Sequence, residues 1–168
     1  MDGEKSKLFY GVEYVYNKVN SDAKETDIST GNPTSTVTRY PDGSDWQSIA
    51  AYTSYKYKPN PKFVLQTGLR YNQVIVNANF DANNEFLSLP FNEANINTGA
   101  LTGTLGLTWS PNKIIQWKAN ASTAFRAPNI DDIGKVFDSE PGSVVVPNDD
   151  LKPEYAIGGD LGLRLNFE

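Results

Sequence analysis

Six stretches of the chain alternate apolar and polar residues over ten positions or more, and no other feature narrows the possible folds so far. They cover about 8–17, 46–58, 62–78, 98–109, 114–126 and 154–167. In an extended strand, side chains two apart share a face. The first run therefore gathers Leu8, Tyr10, Val12, Tyr14 and Tyr16, and the third gathers Phe63, Leu65, Leu69, Tyr71 and Ile75. The last three runs do the same with Leu101, Leu105, Leu107 and Trp109, then Ile115, Trp117 and Phe125, then Tyr155, Ile157, Leu161, Leu163 and Leu165. Charged residues within these runs, such as Glu13, Lys56, Arg70, Lys118, Asp160 and Arg164, all have the other parity. Such segregation requires a sheet with one dry face and one wet face.

A soluble β-sheet binding domain would also keep charge off its core face. Run length argues against it: soluble strands average about 5–6 residues, whereas a tilted strand crossing a bilayer needs about 9–11. Aromatic residues collect near the ends of the stripes, with Tyr55, Tyr57, Phe63 and Trp109 at one end and Tyr16, Tyr71, Phe125 and Tyr155 at the other. Rings at both edges of an apolar band mark membrane interfaces. Connections alternate in length as well. Lys58-Pro-Asn-Pro-Lys62 and Ser110-Pro-Asn-Lys113 are tight, while about 18–45, 79–97 and 127–153 are long. Outer-membrane barrels have short periplasmic turns and long outer loops. The expected fold class is therefore all-β: an antiparallel meander of about six long strands forming a segment of a large transmembrane β-barrel.

Composition is compatible with this. Mean hydropathy is −0.47, as it must be when alternate residues face water, and no apolar run approaches the ~20 residues of a membrane helix. The 168 residues contain neither cysteine nor histidine, so disulfides, thiolate sites and the usual histidine base of hydrolases are missing. No enzyme activity is expected. A net charge of −5 supplies no basic footprint for nucleic acid. The pairs Asp131-Asp132 and Asp149-Asp150 lack the alternating Asp-x-Asp loop and glycine of a calcium site, so no metal is assigned. Asn129-Ile-Asp-Asp-Ile-Gly reads as one helical turn capped by Asn129.

Six strands are too few for a membrane barrel with these long, charged inward side chains, since bacterial examples start at about eight. Open edges in lipid would strand backbone groups at several kcal/mol each. No apolar export segment precedes the first strand, and the sixth runs to the last residue. The expectation is a piece of a larger, exported barrel.

Two short boxes carry the remaining information. Phe125-Arg-Ala-Pro-Asn-Ile-Asp-Asp132 closes the fifth run, and Asn148-Asp-Asp-Leu-Lys-Pro-Glu154 opens the sixth. Arg126 has inward parity at the rim, where a guanidinium can pair with loop carboxylates. Pro128 keeps Ala127 out of helix and ends the strand's ladder, Pro153 sets the approach to Glu154, and Leu151 can pack beneath the loop. Together the boxes resemble the F-R-A-P-x-x-x-E/D and N-P-x-L-K-P-E pair of TonB-dependent outer-membrane receptors, with Asp149 where proline is usual. Trp109-Ser-Pro-Asn-Lys is similar to the periplasmic turns of that family.

The resemblance implies the C-terminal part of a barrel of about 22 strands, embedded in the outer membrane of a Gram-negative bacterium. It further implies a plug domain, TonB as the energy-coupling partner and a scarce nutrient ligand, such as a ferric siderophore. A passive porin is the alternative. Phe125, Arg126, Ala127, Pro128, Asn129, Asn148, Leu151, Lys152, Pro153 and Glu154 are the candidate loop-anchoring residues, and Arg126, Asp131 and Asp132 the candidate ligand contacts. No cofactor is expected. Haem receptors of the family place a histidine between the boxes, and here there is none, so axial haem ligation from this segment is not expected.

Overall fold

The computed structural model describes residues 5–140 and 143–167. Residues 1–4 and Glu168, on which the reading of the chain ends drew, lie outside them. In chain order the strands are β1 (Ser6–Lys18), β2 (Lys24–Thr26), β3 (Pro33–Ser35), β4 (Asp45–Asn60) and β5 (Phe63–Asn79). There follow helix α1 (Asp81–Asn84), β6 (Glu93–Trp109), β7 (Ile115–Arg126), helix α2 (Ile130–Gly134), β8 (Phe137–Glu140), β9 (Ser143–Val145) and β10 (Glu154–Leu165). One six-stranded sheet has the order β1-β4-β5-β6-β7-β10, every neighbour antiparallel. That is a meander, and β2–β3 and β8–β9 are small hairpins within two of the long loops.

Register carries the alternation from strand to strand. Leu8 faces Tyr55, Tyr55 faces Thr67, Thr67 faces Leu105, and Leu105 faces Ala121. Paired residues share a face, so the separate stripes merge into one apolar surface. Nothing among the described residues covers it: Val12 is 85% exposed and Ile157 is 88% exposed. Its lower edge is aromatic, with Phe63 stacked on Trp109 at 6.0 Å and Tyr55 on Tyr57 at 6.3 Å. Tyr14, Tyr71, Phe125 and Tyr155 mark the upper edge, the last two with ring centroids 5.4 Å apart.

Asparagines shape the tight turns. The Asn60 side chain accepts the Lys62 N–H at 2.9 Å, and Asn112 Oδ1 accepts those of Ile114 and Ile115 at 2.9 and 2.8 Å. These Asx turns do locally what a backbone turn would do. Pairing continues just past β10, where the Asn166 N–H donates to the Ile114 carbonyl.

The opposite face holds the charge. Arg70 on β5 donates to Glu13 on β1 at 2.6 Å, reaching across the Tyr52 ring of the intervening β4. Gly11 makes room for that ring, because a Cβ there would lie 2.6 Å from the tyrosine oxygen. Further along, Asn120 donates to Asp160 at 2.8 Å.

The best-buried residues are at the long-loop end, against this wet face. Val74, Val76, Ala78 and Ala94 form a cluster with Phe80, Ile130 and Ile133. The upper ends of β5 and β6 thus serve as a floor for the loops. This explains why β6 begins at Glu93, five positions before the alternating run at 98. The segment 93–97 is rich in asparagine and alternates on the parity opposite to the stripe that starts at Leu101, so its Ala94 and Ile96 pack on the loop core and hold it in the sheet. The second long connection is correspondingly shorter than the expected 79–97.

Candidate functional site

Both sequence boxes meet at the upper rim. β7 delivers Arg126 to the wet face, where it pairs directly with Glu154, the first residue of β10. Beyond Pro128 the chain turns into α2. Asn129 caps that helix: its side chain accepts the Asp132 N–H at 2.9 Å, while Asp132 Oδ2 accepts the Asn129 N–H at 3.1 Å. This reciprocal capping box realises the turn expected from Asn129-Ile-Asp-Asp. It also holds the Asp132 carboxylate in place.

Arg126 takes advantage of that placement. One terminal nitrogen lies 2.9 and 2.8 Å from the two Asp132 oxygens, and the other lies 3.6 Å from Glu154. The guanidinium therefore bridges the start of the third loop to its return. Asp131, the other aspartate, pairs with Lys135 at 3.5 Å one turn away. Of the three candidate ligand contacts, two are thus joined to each other.

The second box closes the arrangement from the other side. The Asn148 N–H donates to the Ile133 carbonyl at 2.9 Å, and its side chain accepts the Asp150 N–H. Leu151 packs beside the loop core, as does Ala127. Between the boxes a cleft of about 220 Å³ is lined by Arg126, Pro128, Asp132, Leu151, Lys152 and Glu154. Two cations and two carboxylates line this open cleft, together with apolar Pro128 and Leu151. Phe125 has outward parity and contributes its ring to the upper girdle.

Loop-to-loop contacts went unnoticed in the sequence. α2 inserts Ile130 and Ile133 against the β5 floor, and Val136 donates its N–H to the Arg39 carbonyl of the first loop at 2.9 Å. Buried Asn83, in the second loop, donates to the Thr38 carbonyl at 3.1 Å. A Cβ on Gly134 would lie 2.6 Å from Pro41. All three long loops therefore share one core. The available signal was the apolar run Val74, Val76 and Ala78 on the otherwise polar parity of β5. Among the described residues no group of three or more acidic or histidine side chains is placed to hold a metal.

Removing the guanidinium should release α2. With Arg126→Ala in the full-length protein, protease cutting within 127–153 on intact cells is expected to rise severalfold. Unchanged protection would refute a bracing role for this side chain.

Comparisons with known proteins agree on the architecture. Among solved structures, the copper transporter OprC superposes with a TM-score of 0.78 at 18% identity, over 99% of this chain and 26% of that one. A double mutant of the Serratia marcescens hemophore receptor HasR, in complex with its hemophore HasA and heme, gives 0.71 at 15% identity, over 94% and 26%. The chain thus spans about a quarter of either protein. No curated protein sequence matches it. The family model described as "TonB dependent receptor-like, beta-barrel" matches residues 2–168, and the chain belongs to that family.

Proposed function

We propose that this chain is part of the wall of an outer-membrane receptor that takes up a scarce nutrient, a ferric siderophore or similar chelate, with energy supplied through TonB. One observation carries the membrane placement: the uncovered outward surface is continuous across six strands, free of charge between its girdles and edged by aromatic rings. A wall of this kind is stable only against hydrocarbon or a second protein layer, and among the described residues no second layer lies on that side. A mainly apolar cleft of about 370 Å³, lined by Leu107, Trp109, Trp117, Lys118, Ala119 and Leu161, supports the same reading. The tight turns then face the periplasm and the three long loops face outward.

Import through a gated mouth, rather than passive diffusion, is supported by α2. It folds inward over the upper wet face and is pinned there by Arg126, so the loops narrow the passage. The boxes act as loop anchors, and the cleft between them is the nearest candidate for ligand contact. With no histidine or cysteine, this stretch offers no imidazole or thiolate donor. That favours an oxygen-rich chelate over haem or a bare copper ion for this part of the mouth.

The test uses the full-length receptor in lipid bilayers, with spin labels at positions 105 and 163. Both labels should be accessible to oxygen and shielded from a water-soluble relaxant. Shielding from both reagents would place a protein layer there and overturn the proposal. Uptake of ferric chelates that stops when TonB is deleted would support the transport reading, and TonB-independent uptake would favour a porin.

A further inference from the structure

The two ends of this sheet carry opposite charge. The net charge is −5, but the acidic residues are not spread evenly. Apart from Glu13, paired with Arg70, and Asp160, which accepts from Asn120, every acidic residue among those described lies at the long-loop end. The tight-turn end of the wet face is basic. Lys7 on β1 lies directly opposite Lys56 on β4. One step lower, the Lys58 N–H donates to the Lys5 carbonyl at 2.7 Å, which sets a second pair of lysines face to face. All four have wet-face parity and are exposed. Lys118 on β7 and Arg164 on β10 extend the band on the far side.

Like charges directly opposite one another destabilise an antiparallel pair. Same-face neighbours along a strand stand about 7 Å apart and opposed side chains about 5 Å apart, so the quartet spans about one Debye length at physiological salt. Water screens such a group only in part, and the walls of a cleft focus its field. Among the described residues, no carboxylate lies within ion-pair distance of Lys5, Lys56, Lys58 or Lys118. Relief of the repulsion is therefore left to a counter-charge from outside the wall. Between the two halves of the band the wall is low, with Gly106 and Thr108 on β6 and Gly162 beside Lys118. Three strand spacings, about 14 Å, separate β4 from β7 and leave a shallow trough.

The polarity of the whole face gives that trough a direction. An anion released at the acidic loop end falls in energy as it moves to the basic end, whereas a cation climbs. Lys152, in the cleft between the boxes, supplies local positive charge at the start of the path. We propose that the basic band is an anion site on the lumen wall, where a chelate bearing carboxylate or catecholate charge rests before it leaves at the tight-turn end. The proposal rests on the transport reading above and names the charge of the cargo.

Lysine acylation, mapped by mass spectrometry on the full-length receptor in nanodiscs, tests the site directly. The probes are iron(III) citrate and an iron(III) tris-catecholate, with a neutral iron(III) tris-hydroxamate as reference. Both anionic chelates should slow acylation of Lys56, Lys58 and Lys118 severalfold and leave Lys24 in the first loop unaffected. That protection should vanish when salt is raised from about 0.05 to 0.5 M. Equal protection by the neutral chelate would overturn the proposal. So would lysines already protected without any chelate, which would assign the band to a permanently bound protein surface. In cells, Lys56→Gln combined with Lys58→Gln removes one lysine of each pair and relieves repulsion, so the variant should fold. Its uptake of an anionic chelate should fall severalfold, while Lys24→Gln, which removes the same charge at the loop end, keeps full uptake. Unaltered uptake by the double variant would overturn the proposal. Absence of receptor-dependent uptake of any ferric chelate by the unaltered protein would instead remove the transport reading, and the acylation map would still decide whether the band binds anions.

Discussion

A lysine in place of Leu105 is expected to destabilise the full-length receptor in lipid vesicles by about 2–4 kcal/mol, the cost of a cation near the middle of a barrel's lipid face. Leu105 lies between the girdles, paired with Thr67 on one side and Ala121 on the other. An ammonium there must either leave water or snorkel past several rows of apolar side chains. Ser122→Lys is the matched control. It lies one position along β7 from Ala121 and faces the wet interior with Thr104 opposite, so its cost should be near zero. Urea unfolding of both variants in the same vesicles decides the matter. Equal costs would mean that the two faces of this sheet do not differ in solvent.

The second large effect belongs to the loops. Phe80 is fully buried, meets Phe91 edge-on at 5.4 Å, and comes close to Gly134 of the third loop. Truncating such a ring typically costs about 3–5 kcal/mol, and Phe80→Ala should take that from the loop core and leave the barrel wall intact. Because the core is shared, the loops should loosen together. Hydrogen exchange at Val136, bonded to Arg39, should accelerate along with that at Leu87, bonded to Asn83. Faster exchange confined to 80–92 would show that the loops are independent.

How much of this was legible in advance varies along the chain. The wall was readable because a strand with one apolar face and one wet face writes its period directly into the residues. Tyr10, Val12 and Tyr14 differ from Gly11, Glu13 and Asn17 in that way, and the contrast fails at Phe9 and Val15. Arg126 was readable from parity and from the box around it. Its partner was not, since Asp131 and Asp132 are equivalent by composition. The capping box selects Asp132, because it already orients that carboxylate towards Asn129. Residues 93–97 were read as loop because their apolar pair, Ala94 and Ile96, lies on the parity opposite to the stripe of Leu101, Leu105 and Leu107, so the segment did not extend that stripe.

The amino-acid order alone determined the number of long strands, the sheet face to which their residues belong and the position of the tight turns, because these follow from a two-residue period and from local turn chemistry. Only the tertiary structure decided that the three long loops share one core and that α2 lies against the wet face of the sheet. Those features depend on contacts between residues dozens of positions apart. Such contacts leave no period in the sequence, since many pairings of small and apolar side chains would satisfy the same local pattern.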